Sequence, residues 1–140
     1  MSIPSEVHLH GHSDGDAVAH AVTDAILGAS GAGDIGSMFP DTDPVNRGRD
    51  SMDMLSRAVA KIGERAMTVV NVDVTVVAEH PRLGPHREKM CLALADALSI
   101  PVDRVSIKGK TNEGMGWIGR GEGIACIAVA TVTTEAEARS

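Results

Sequence analysis

Aromatic side chains are almost missing from this sequence: one Phe (Phe39), one Trp (Trp117) and no Tyr among 140 residues. The core therefore has to be built from Ala, Val, Ile, Leu and Met. These bury less area per residue than rings do, and a chain this short has little burial to spare. Assembly into an oligomer is the expected remedy. Stacking platforms for single-stranded nucleic acid are lacking too, and so is a basic footprint, since 13 Lys and Arg stand against 19 Asp and Glu for a formal charge of −6. Both absences argue against nucleic-acid binding. No apolar run approaches the roughly 20 residues that cross a bilayer. The opening stretch, MSIPSEVHLHGHSDGD, has no basic region followed by an apolar one. These features read as a cytoplasmic protein with no membrane partner. The two cysteines, Cys91 and Cys126, sit far apart in apolar stretches outside any CxxC pair and read as buried free thiols.

What is present is ordinary for a globular protein, with 43% hydrophobic and 23% charged residues, so residues 1–140 read as a single domain. Residues 16–28 place Val18, Val22, Ala25 and Ile26 at helical spacing, with Asp16 as cap and Gly28 as stop. Residues 29–50 are rich in Gly, Asp and Pro and read as a long loop of the kind that carries function. Ser51 opens a second helix, capped by itself or by Asp50, with Met54, Leu55, Ala58, Val59 and Ile62 on its inner face. Residues 68–78 are a β-branched strand. A Pro-bounded loop over 80–85 then leads into a helix from about 86 to 98. Residues 102–108 read as a short strand, 109–123 are dense in glycine, and 124–133 read as an apolar strand. This order predicts an α+β fold, a small mixed sheet covered by helices on one face.

Four polar clusters interrupt that pattern. The first is His8-x-His10-x-His12-Ser13-Asp14-Gly15-Asp16, with His20 and Asp24 following on the helix. His20 is four residues from both Asp16 and Asp24, so the three share one helix face. Imidazole with carboxylate suits zinc, and Asp16 or Asp24 would orient the ring; the plain alternative is a capping Asp and a boundary His. The second cluster is Asp34-Ile35-Gly36 with Phe39-Pro40-Asp41-Thr42-Asp43. Its carboxylates suit a metal or the hydroxyls of a polyol, or else each Asp bonds its own backbone in a solvated turn. The third, residues 78–86 (AEHPRLGPH), joins a strand end to a helix start, where backbone amides are free to hold anions and small rings. The fourth runs Lys108-Gly109-Lys110-Thr111-Asn112-Glu113 into GMGWIGRG. Its Lys, Thr, Asn and Arg donors suit phosphate, and Glu113 suits a hard cation such as magnesium. Neither a Walker loop nor a dinucleotide fingerprint is present.

Taken in order, HSDGD with AHAVTDAILGA, GDIGSMFPDTDP, NVDVTVVAEHPRLGPH and TNEGMGWIGRGEGIA resemble the 2-C-methyl-D-erythritol 2,4-cyclodiphosphate synthase family over residues 3–132. The resemblance implies a homotrimer with an active site at each subunit interface. It also implies a reaction that turns 4-diphosphocytidyl-2-C-methyl-D-erythritol 2-phosphate into the cyclic diphosphate and CMP. By the same resemblance, His12 and Thr111 are catalytic, and His12 and Ser13 hold the substrate phosphate. Asp34, Ile35 and Gly36, with Phe39, Asp41 and Asp43, hold the methylerythritol part. Ala78, Pro81, Arg82, Leu83 and Gly84, with Lys110, Thr111, Asn112 and Glu113, form the cytidine and phosphate pocket. His20 is the zinc ligand and Glu113 the ligand of magnesium or manganese. Lys110 and Asn112 replace threonines common in the family. Trp117 and Arg120 resemble positions lining the trimer's central channel, which accommodates an isoprenoid diphosphate.

The family begins with a strand whose Asp-x-His motif supplies two of three protein zinc ligands, and the 140 residues match it only from partway through the first hairpin. The expectation is a chain short by that strand, either because the intact enzyme is longer or with His10 or His8 taking the place of a missing ligand. A second reading is a catalytically impaired trimer that binds a cytidine nucleotide or an isoprenoid diphosphate.

Overall fold

A computed structural model of the chain describes residues 8–40, 50–78, 84–110, 115–116 and 124–134, by backbone alone for 8–14 and 84–85. Its long helices are α1 (His8–Ser30), α3 (Ser51–Gly63) and α4 (Gly84–Leu98), with a single-turn α2 (Ile35–Met38) between the first two. The strands are β1 (Met67–Val77), β2 (Val105–Lys110) and β3 (Ala125–Thr134). They form a sheet in the order β2-β1-β3, with β1 parallel to β2 and antiparallel to β3. This is the small mixed sheet that the sequence predicts. α4 supplies the crossover that a parallel pair requires.

Alternation along β1 sets the layering. Val72, Val74 and Val76 are buried while Asp73, Thr75 and Val77 are only partly so, and Val105 and Ile107 of β2 join the buried face. α1, α3 and α4 pack on the sheet, bringing Val18, Val22, Ile26 and Leu27, then Leu55, Ala58 and Ile62, then Met90, Leu94 and Leu98 into one core. These residues recur at three- and four-residue intervals, the period of a helix with one apolar stripe. Among the described residues, the main core cluster holds no ring.

The structure differs from the sequence reading at several points: α1 runs past Gly28 to Ser30, and the stretch read as a loop over 29–50 contains α2. α1 starts at His8, so Asp16 lies inside the helix and does not cap it. No proline falls between His8 and Asp16, and a capping residue permits a helix to start without obliging it to. Asp16 instead accepts a 2.8 Å hydrogen bond from Ser51 Oγ, tying α1 to the first residue of α3. Residues 102–104 form a 3₁₀ turn, so β2 begins at Val105 and reaches Lys110. Pro101 fixes the backbone there, and its carbonyl accepts from Arg104 N–H. The cysteines are free but half-buried. Burial pushes the Cys91 thiol above its ordinary value, which keeps it protonated and weakly nucleophilic at neutral pH.

The other face of the sheet is partly polar. Lys108 Nζ donates to both oxygens of Asp73 at 3.1 and 2.9 Å, and that hydrogen bond lowers the Asp73 carboxyl below its ordinary value. A depressed folded-state value means that the contribution is complete above the unfolded-state value near 4 and is lost as the pH falls through the lower, folded one. Both side chains are nearly half exposed, so solvent screening limits the pair to less than about 1 kcal/mol. Asp73→Asn should therefore move the urea midpoint little at pH 7 and still less at pH 3. A large loss at pH 7 would contradict this. On the same face of the sheet, Ile127 and Val129 of β3 are 59% and 64% exposed. Among the described residues, no helix is long and apolar enough to cross a membrane.

Candidate functional site

Two places in the fold gather the residues singled out from the sequence. The first is the C-terminal edge of the parallel pair. Lys110 ends β2 opposite Val77, and the next residue of the neighbouring strand, Ala78, donates its N–H to the Lys110 carbonyl at 3.0 Å. Ala78 is buried, Lys110 is exposed, and Gly84 opens α4 soon after. Carboxyl ends of parallel strands followed by a helix start are where such sheets hold ligands, because backbone groups there lack ladder partners. His86, in the first turn of α4, has a buried Nε2 without a hydrogen-bond partner among the described residues. A buried polar atom in that state costs free energy that a neighbouring group or ligand would recover. Pro81, Arg82 and Leu83 follow one strand end in sequence, and Thr111, Asn112 and Glu113 follow the other; all six lie outside the described residues.

Lys108 does not belong to this edge. Two residues earlier on β2, it pairs with Asp73 across the sheet, so its charge is compensated there rather than offered to phosphate.

The second place is the turn after α1. Asp34 caps α2, accepting from Ser37 N–H at 2.8 Å, and its own N–H donates to Ser37 Oγ at 3.1 Å. This reciprocal pair is a capping box, so the local-turn reading of Asp34 holds, although the side chain also stays exposed. Gly33 has φ +105°, and a Cβ on it would come within 2.7 Å of Ser37 Oγ, so a side chain there would be strained and would displace the cap. Arg65 donates to the carbonyls of Ser30 and Gly31, closing the end of α1 just before the turn. Asp24 reaches across from α1, its Oδ1 accepting from Ile35 N–H at 2.7 Å. Phe39, at the end of α2, is buried outside the main core cluster.

His20 lies exposed on α1 between Asp16 and Asp24, as the spacing predicts. Each of those carboxylates has one oxygen engaged elsewhere: Asp16 Oδ1 accepts from Ser51 Oγ and Asp24 Oδ1 from Ile35 N–H. Among the described residues, no three His, Cys, Asp or Glu side chains are grouped to hold a metal ion. A zinc centre takes about three protein ligands, so the described side chains do not by themselves make one. The side chains of His10, His12 and Ser13 lie outside the described part of α1, and Asp41, Asp43, Trp117 and Arg120 lie outside the described residues. A cavity of about 370 Å³ between α3 and α4, lined by Asp50, Met52, Asp53, Ser56, Ala93, Asp96 and Ala97, includes none of the residues singled out.

Asp24, Ser37 and Gly33 are the positions whose roles the sequence concealed. A legible signal existed for Ser37, three residues after an Asp. Asp24 meets Ile35 across eleven residues with nothing local to mark it.

A family model described as the YgbB family matches residues 1–133. The chain belongs to the YgbB family. Within it, 2-C-methyl-D-erythritol 2,4-cyclodiphosphate synthase of Gemmatimonas aurantiaca is 55% identical over 132 residues, covering 94% of this chain and 80% of that enzyme. Among solved structures, the bifunctional IspDF of Campylobacter jejuni superposes with a TM-score of 0.82 at 40% identity, over 88% of this chain and 33% of that one. The CDP complex of IspF from Plasmodium falciparum superposes with a TM-score of 0.73 at 34% identity, over 88% and 73% of the two chains. The YgbB match runs through all four polar clusters, both those in the described fold and those outside it.

Proposed function

We propose that this chain is a phosphorus–oxygen lyase of non-mevalonate isoprenoid biosynthesis, acting as one domain over residues 1–140. It converts 4-diphosphocytidyl-2-C-methyl-D-erythritol 2-phosphate into 2-C-methyl-D-erythritol 2,4-cyclodiphosphate and CMP. The observation that carries this reading is the 55% identity with the Gemmatimonas aurantiaca enzyme of that name. A 2-phosphate oxygen attacks the β-phosphorus, the bond from that phosphorus to the CMP oxygen breaks, and CMP leaves with the electron pair. No protein nucleophile is needed. The chain's work is to hold two anionic groups in line and to compensate their charge.

Under this reading His12 and Ser13 hold the 2-phosphate, and His12 and Thr111 are catalytic. Asp34, Ile35 and Gly36, with Phe39, Asp41 and Asp43, hold the methylerythritol. Ala78, Pro81, Arg82, Leu83 and Gly84 receive the cytidine, and Lys110, Thr111, Asn112 and Glu113 the diphosphate. Zinc held by His20 with His10, and magnesium or manganese held by Glu113, would supply charge neutralisation. Trp117 and Arg120 line a channel suited to an isoprenoid diphosphate. The protein works in the cytoplasm as a homotrimer. That assembly draws support from the scarcity of aromatics and from Ile127 and Val129, two large apolar side chains left in solvent on an outer strand. It also suits a site in two halves, since the strand-end residues lie on β1 and β2 while the Asp34 turn rests chiefly on α1.

CMP release from the authentic substrate, followed by chromatography with magnesium and zinc present, tests the reading. Turnover is expected in the wild type, with His20→Ala reducing kcat/KM at least about tenfold, the effect of roughly 1.4 kcal/mol of transition-state binding. Binding of CDP without CMP release would make the chain a nucleotide-binding trimer and would reject the catalytic reading.

A further inference from the structure

The Asp34 turn is internally self-sufficient but needs an external anchor. Asp34 and Ser37 satisfy one another, and the Met38 and Phe39 N–H groups donate to the Asp34 and Ile35 carbonyls, so every one of these bonds stays within the turn. None of them decides where the turn stands relative to α1. The one side-chain hydrogen bond described between α1 and α2 is Asp24 Oδ1 to Ile35 N–H, at 2.7 Å. It is short and charge-assisted, the stronger class of protein hydrogen bond. Its acceptor sits on a rigid helix one turn beyond His20. Its donor is the backbone of a residue between Asp34 and Gly36, the groups assigned to the methylerythritol.

We propose that Asp24 is a positioning residue: by holding the Ile35 amide it sets the height of the Asp34-Ile35-Gly36 segment on α1, and so governs affinity for the polyol end of the ligand while leaving the cytidine end alone. This rests on the function proposed above. Of the residues assigned to cytidine, Ala78 directly follows β1 and Gly84 opens α4, whereas the described contacts of α2 are chiefly with α1. A displacement of the turn therefore need not disturb them. The carboxylate acts as an acceptor here, so an amide oxygen at the same place can substitute, whereas a methyl group cannot.

Calorimetric titration of the 140-residue protein with CDP and, separately, with 2-C-methyl-D-erythritol 2,4-cyclodiphosphate tests this, using wild type, Asp24→Ala and Asp24→Asn. Loss of a charge-assisted hydrogen bond corresponds to about a tenfold to hundredfold change in an equilibrium constant. Asp24→Ala is expected to weaken the cyclodiphosphate by about tenfold and to raise KM more than it lowers kcat, with CDP affinity changed less than about twofold. Asp24→Asn is expected to restore most of the loss. Equal cyclodiphosphate affinity in wild type and Asp24→Ala overturns the positioning role. So does a parallel fall in both ligands, which would mark general damage to the fold, and so does failure of Asn to rescue. If the wild type binds CDP but not the cyclodiphosphate, the proposed function fails first and the positioning role falls with it.

Discussion

Replacing both Ile127 and Val129 with lysine is expected to leave the protein monomeric and to reduce CMP release at least about a hundredfold, the effect of roughly 3 kcal/mol. The two side chains are 59% and 64% exposed, two residues apart on the same face of β3. Their register partners on β1 are Thr75 and Asp73. In an isolated subunit, Lys at these positions keeps its ammonium in water, so folding should change by no more than about 0.5 kcal/mol. At a subunit interface the same ammonium groups would have to leave water without a partner, which costs several kcal/mol for each buried ion. The cost falls on assembly, and activity follows if each site draws residues from two subunits. Sedimentation velocity with an activity assay on the same samples decides it. A double variant that sediments as the wild type does would remove β3 from the interface.

The second large effect is expected in the core. Leu55→Ala should lower stability by about 2–5 kcal/mol, read from the urea midpoint at fixed protein concentration. Leu55 is completely buried on α3, among Val18, Val22 and Ile26 of α1 and Leu94 of α4, within one cluster. Removing three carbon atoms there leaves a cavity within a cluster that, Met90 apart, is made of short or branched side chains with little reach to fill it. A ring could tilt into such a gap, but among the described residues this cluster has none. Since a domain of this size is stable by about 5–15 kcal/mol, the single truncation removes a large share of the total. A shift below about 1 kcal/mol would mean that the helices close up around the gap, and that the small-residue core is more compliant than its packing suggests.

Much of the fold was legible because the relevant signals are local. β-branched alternation marked β1, apolar helical spacing marked α1 and α3, and the order of elements led to an α+β arrangement with a small mixed sheet. The motifs also marked Lys110 and Ala78 as neighbours in function before the parallel register of β1 and β2 placed one beside the other. Where the reading went astray, the deciding contact was distant in sequence. Asp16 looked like a cap because an Asp before an apolar periodic run usually is one; its partner proved to be Ser51, thirty-five residues on. Lys108 looked like a phosphate donor beside Lys110 until the parallel register brought it against Asp73.

The sequence by itself determined most of the elements that form, that their core is largely aliphatic, and that four polar clusters interrupt the apolar pattern. Periodicity, propensity and composition act within a few residues and need no knowledge of the fold. Only the tertiary structure decided which carboxylate serves which donor. Asp16, Asp24, Asp34 and Asp73 are chemically alike in the sequence. In the fold they respectively tie two helices together, anchor a turn, cap a helix and pair with a lysine across a sheet. The difference arises because a side chain reaches only a few ångströms, so its partner is set by how the helices pack on the sheet.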